Sequence, residues 1–112
     1  MTTFNQSFDE LGIEVEHCMP GEDGVYIKVV RIPAGRTLAN HIHTFTHKSI
    51  LVSGSAVVEV DGEPVQLTGP RVLTIARGVP HQVSAITDVV WYCVHATHED
   101  DPNRIDFTLT GG

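Results

Sequence analysis

The chain has 112 residues and a formal net charge of −7, from 7 Lys and Arg against 14 Asp and Glu. That balance lacks the basic footprint which nucleic acids and anionic membranes demand, and it excludes both as expected partners. The length suits one compact domain, and no apolar run approaches the roughly 18 residues of a membrane helix. The opening stretch MTTFNQSFDEL has no basic region followed by an apolar one, so no export signal is read there and a cytoplasmic location is expected. Two cysteines, Cys18 and Cys93, are too few for a disulfide scaffold and are expected as free thiols.

Residues 1–11 carry Phe4, Phe8 and Leu11 among polar groups and read as a short helical turn or an extended arm. In residues 13–18 Ile13, Val15 and His17 alternate with Glu14, Glu16 and Cys18, the period-two pattern of a half-buried strand. Pro20 to Gly24 is turn chemistry, and VYIKVVRI (25–32) is rich in β-branched residues and predicts a strand that Pro33-Ala34-Gly35 stops. Thr37–His43 is the next predicted strand, followed by a turn at Thr44–Thr46 and a strand over His47–Ser53 that Gly54 breaks. Ser55–Val60 and Pro64–Leu67 flank Asp61-Gly62, the strongest short hairpin signal in the chain. Strands follow at Arg71–Ala76, over HQVSAI from His81, and over VVWYCVHAT (89–97). Residues 98–112 are charged and less periodic. They read as a surface tail with Ile105, Phe107 and Leu109 as packing anchors. Eight to ten short strands with a turn signal every eight to twelve residues, and no helical period beyond two turns, predict an all-β sandwich or barrel.

Three histidines fall within seven residues: His41, His43 and His47. Successive side chains on a strand alternate faces, so His41 and His43 share one. Neutral imidazole is the commonest protein ligand for a transition metal. His81 is a fourth candidate that a closed β-shell would have to bring to the other three. His95 shares strand parity with Trp91 and Cys93. If that face points inward, His95 is a candidate acid or base beside the ligands; the opposite face, Val90, Tyr92 and Val94, reads more like a packing face, and the sequence does not decide between them. His17 and His98 are expected at the surface. Arg71 and Arg77 are read as solvated charges, either of which would also serve to hold a substrate carboxylate. No Gly-rich phosphate loop or nucleophile signature appears. With Lys28 and Lys48 as the only lysines, Schiff-base chemistry is not expected.

These residues resemble the cupins, small β-barrels of the jelly-roll type. The family's first motif runs Gly, five residues, His-x-His, three or four residues, Glu, six residues, Gly. Gly35, His41, His43, His47 and Gly54 match its spacing, with His47 where the family usually has Glu. The second motif is matched less closely by Gly69, Gly78 and His81, with Ala76 in place of Pro and Ala85 in place of Asn. The resemblance implies a single cupin domain, with a core barrel over about 12–97, and a metal held by His41, His43, His47 and His81. An all-imidazole set leaves the full charge on the ion and suits Fe, Ni, Zn, Co or Cu better than Mn. It implies a metal-dependent oxygenase, lyase or isomerase acting on a small polar molecule, or else a non-catalytic metal- or ligand-binding module. A homodimer is expected too, because an open jelly roll has edge strands to protect.

Overall fold

The computed structural model describes residues 3–5, 12–41 and 46–97, with 3–5 and 39–41 described by their backbone alone. His43, His98, the tail over 98–112 and most of the arm therefore lie outside the described residues. Among the described residues ten strands run in order: β1 (Thr3–Asn5), β2 (Glu14–Cys18), β3 (Val25–Ile32), β4 (Thr37–His41), β5 (His47–Ser53), β6 (Ser55–Val60), β7 (Glu63–Thr68), β8 (Arg71–Ile75), β9 (His81–Ala85) and β10 (Val89–Ala96). They form two antiparallel sheets, a six-stranded one in the order β1-β2-β3-β10-β5-β8 and a four-stranded one in the order β4-β9-β6-β7. This is the predicted all-β jelly roll. Thr3–Asn5 of the arm pair with β2 of their own chain.

The turns follow from local chemistry. Asp61 and Gly62 both take positive φ, 52° and 81°, as a two-residue hairpin turn of the primed type requires, and β6 pairs with β7 across it. In the turn before β3, the Asp23 carboxylate accepts hydrogen bonds from the Val25 and Gly21 amides at 3.0 and 3.3 Å. The Val25 amide, then that of Gly21, holds its pKa below the ordinary value. At Gly54, between β5 and β6, φ is +89°, and a Cβ would collide with the Asp88 carbonyl oxygen. Only glycine lets the chain cross from one sheet to the other so close to that backbone.

Register divides the interior by row. Directly opposed residues in an antiparallel pair share a face. In the six-stranded sheet Ile32 opposes Val89, and Val30 opposes both Val15 and Trp91, which in turn opposes Leu51. Facing them in the four-stranded sheet, Ala56 opposes Ala85 and Val58 opposes Val83. These residues, with Ile13 and Cys93, form the hydrophobic core; Trp91, Val30, Leu51 and Val83 are fully buried. Burying each such side chain contributes about 1.5–3 kcal/mol relative to leaving it in water. The next rows are polar. Lys28 opposes both His17 and Cys93, Cys93 opposes Ser49, Tyr26 opposes His95, and His81 opposes Val60. One end of the jelly roll is thus a packed aliphatic and aromatic core. The other is lined by groups that carry chemistry.

Candidate functional site

Among the described residues four histidines are buried: His17, His47, His81 and His95, at 0%, 5%, 2% and 4% exposure. His17 is therefore not the surface residue its sequence context suggested. Its parity with Ile13 and Val15 already placed it on the core-facing side of β2. The inward face of β10 is also settled. Trp91, Cys93 and His95 are buried, whereas Val90, Tyr92 and Val94 are only partly so.

His47 opens β5 in the six-stranded sheet, and His81 opens β9 in the four-stranded one. Their ring centroids nonetheless lie 5.8 Å apart at 57°. His95 stacks on His47, with centroids 4.4 Å apart and planes at 22°. Ser49, fully buried on the same face of β5, has its Oγ 3.1 Å from His47 Nε2 and 4.0 Å from Cys93 Sγ. One ring face and one ring nitrogen of His47 are therefore held by neighbours. The backbone register places His41 opposite His81. Of the four predicted ligands, the structure brings His47 and His81 together and sets the His41 backbone beside them. His43 lies outside the described residues. Among the described residues, no group of three or more His, Cys, Asp or Glu is arranged to hold an ion.

The row of rings continues past His95. Tyr26 lies 6.1 Å from the His95 ring and 5.9 Å from that of His17, and its hydroxyl is 2.6 Å from His17 Nδ1. Tyr26 and Lys28, with His17, are interior residues that the sequence reading did not assign to the site. Their signal was available: Tyr26, Lys28, Val30 and Ile32 share one parity on β3.

A cavity of about 330 Å³ opens beside the imidazoles, lined by Thr46, His47, Lys48, Thr74 and His95 among others. Lys48 Nζ donates to Thr74 Oγ1 there at 2.7 Å. A second cavity, of about 280 Å³, has aliphatic walls that include Val60 and Leu73, the residues opposed to His81 and Ser49. Arg71 also lines it. A third, of about 340 Å³, lies around Arg31, Pro33 and Asp88, away from the imidazoles. Arg31 is bridged to Glu16 at 3.1 Å and Glu14 at 3.5 Å.

A two-sheet jelly roll with imidazoles converging from both sheets defines the class of protein. The cupin-domain family model matches residues 28–95, and the chain belongs to that family. The chain is 31% identical over 64 residues to tetracenomycin polyketide synthase protein TcmJ from Streptomyces glaucescens, a match covering 56% of this chain and 43% of that protein. It thus spans less than half the length of that relative. Its fold resembles an RmlC-like cupin from Shewanella frigidimarina, with a TM-score of 0.72, 20% identity and coverage of 94% of this chain and 88% of the other. It also resembles an acetylacetone dioxygenase from Acinetobacter johnsonii, with a TM-score of 0.64, 20% identity and coverage of 82% and 67%. At these identities the structural likenesses speak for the fold. Among the described residues no helix is long and apolar enough to cross a membrane.

Proposed function

We propose that this cupin holds one divalent transition metal, Fe, Ni, Zn, Co or Cu, through His41, His43, His47 and His81, and that it is an enzyme acting on a small polar molecule. The observation carrying this reading is the approach of His47 and His81 from opposite sheets to ring centroids 5.8 Å apart. Two imidazoles bound to one ion at about 2.1 Å each can span roughly 6 Å between ring centres, so this pair fits a shared ion. The donor set fits as well: nitrogen ligands suit these metals. When bound, such an ion supplies Lewis-acid polarisation of a substrate oxygen, in an oxygenase, lyase or isomerase reaction.

The chain's own residues supply the rest. Ser49 and His95 fix the plane and edge of the His47 ring, the role that groups behind a ligand play in tuning its affinity. His95 lines the cavity wall, which supports reading it as the group that would take or give a proton. The core rows below keep water out of the opposite end. The small-molecule reading draws support from the resemblance to a polyketide synthase protein and to a dioxygenase. The homodimer belongs to the same proposal. Among the described residues β7 and β8 are edge strands, and Val65 and Val72 on them are 52% and 67% exposed.

Native mass spectrometry of protein reconstituted with each metal in turn reads both claims. One ion per chain in a dimer is the expected result. A metal-free chain under every reconstitution would end the metal proposal, and a monomer at micromolar concentration would end the dimer.

A further inference from the structure

We propose that residues 104–110 of this chain dock as an extra strand in the open seam between β7 and β8, pairing antiparallel with β8 and closing the barrel. Register reveals the seam. Val65 on β7 opposes Val58, so the two share the inner face of the four-stranded sheet. Val58 is 1% exposed, whereas Val65 is 52% exposed. Across the gap, Leu73 on β8 shares parity with the fully buried Ile75 and is only partly covered itself. The aliphatic cavity of about 280 Å³ lies between them, with Val58, Val60, Leu67 and Leu73 in its walls. Inward-facing aliphatic side chains thus meet solvent along a line where, among the described residues, both sheets have an edge. An apolar edge of this kind is ordinarily covered by another segment.

The stretch RIDFTLT (104–110) has the complementary pattern. Ile105, Phe107 and Leu109 alternate with Asp106, Thr108 and Thr110, so a strand there presents one apolar face. Reach agrees. β10 and β8 run in the same direction, each antiparallel to β5. Val94, Lys48 and Thr74 stand in one row, so β10 leaves the sheet at the end where β8 also finishes. A strand beyond β8 lies three strand spacings from β10, about 14 Å, and the linker HEDDPN (98–103) spans up to about 20 Å. Arriving at that end, the segment runs back along β8, antiparallel to it. Ile105, Phe107 and Leu109 then stand beside Ile75, Leu73 and the stem of Arg71, over the cavity. Tethered so closely, the segment is present at an effective concentration on the order of millimolar, which favours it over a second copy of the chain. Residues 6–11 are excluded, because they connect β1 to β2 at the opposite edge of the six-stranded sheet. Val72, on the outer face of β8, stays uncovered and available to the dimer proposed above.

The test is NMR on the full chain, labelled with ¹³C and ¹⁵N. The Phe107 ring is expected to show nuclear Overhauser contacts to the methyls of Leu73 and Val65. The β8 amides that point away from β5 are expected to be protected from hydrogen exchange. Phe107→Ser should speed their exchange about 10-fold or more, as an edge strand that loses its cover opens locally, and Phe107→Leu should bring it back to within a few-fold of wild type. Thr108→Ala, on the opposite parity, should leave it unchanged. Absence of the ring-to-methyl contacts, or equal acceleration by Phe107→Ser and Thr108→Ala, would overturn the proposal. So would contacts that arise only between chains in an equal mixture of labelled and unlabelled protein, because a second copy would then fill the seam.

Discussion

His81→Ala is expected to lower metal affinity by about 100-fold or more, taking occupancy from one ion per chain to almost none at micromolar metal. Losing the groups behind a ligand typically costs 10–100-fold, and losing a ligand itself costs at least as much. The reason is geometric. His81 is the described imidazole that the four-stranded sheet contributes, and His47 faces it from the six-stranded sheet at 5.8 Å. Without it, no side chain described on β9 replaces the donor. His95→Ala should cost less, about 10-fold, because its ring supports His47 by stacking. His17→Ala removes a buried ring in the adjoining row, three strands away across the sheet, and should leave metal affinity close to wild type. Competition titration with a chromogenic chelator ranks the three variants. Equal losses in all three would mean that the effect is unfolding and not ligation.

Trp91→Ala is expected to destabilise the fold by about 3–5 kcal/mol, the range for emptying a buried aromatic site. Trp91 is fully buried, opposes Val30 on one side and Leu51 on the other, and sits on the central strand of the larger sheet. Trp91→Phe should cost far less. The indole Nε1 has no hydrogen-bond partner among the described residues, so a ring without that donor recovers part of the lost packing. Urea denaturation of the two variants measures the difference. A Phe variant as unstable as the Ala variant would show that the indole's volume, not its burial as such, sets the core.

Much of the fold was legible because turn chemistry is local. Asp61-Gly62, Gly54 and the Pro33–Gly35 stop each act within a few residues, and the strands between them fall within a residue or two of their predicted bounds. The histidine spacing was legible for the same reason, since strand parity is a property of neighbours. What parity cannot tell is which face turns inward. Both faces of β10 are largely apolar, and Val90, Tyr92 and Val94 looked more like a packing face than Trp91, Cys93 and His95, which are the buried ones. Only pairing with β3 and β5 decides it. The same gap hid Lys28 and misplaced His17. A lysine and a histidine on short strands look solvated until the register shows them opposed to buried partners. The candidate site was thus half legible. The candidate ligands His41, His43 and His47 lie in a local pattern, but their meeting with His81 and the polar lining around them arise from long-range pairing.

The central claim is that imidazoles from both sheets bind one ion. Extended X-ray absorption at the metal edge of the reconstituted protein tests it most directly. The outer-shell scattering of at least three imidazole rings, with a nitrogen and oxygen first shell near 2.1 Å and no sulfur, is the predicted result. A sulfur shell from Cys18 or Cys93, or a spectrum with no imidazole scattering, would contradict it.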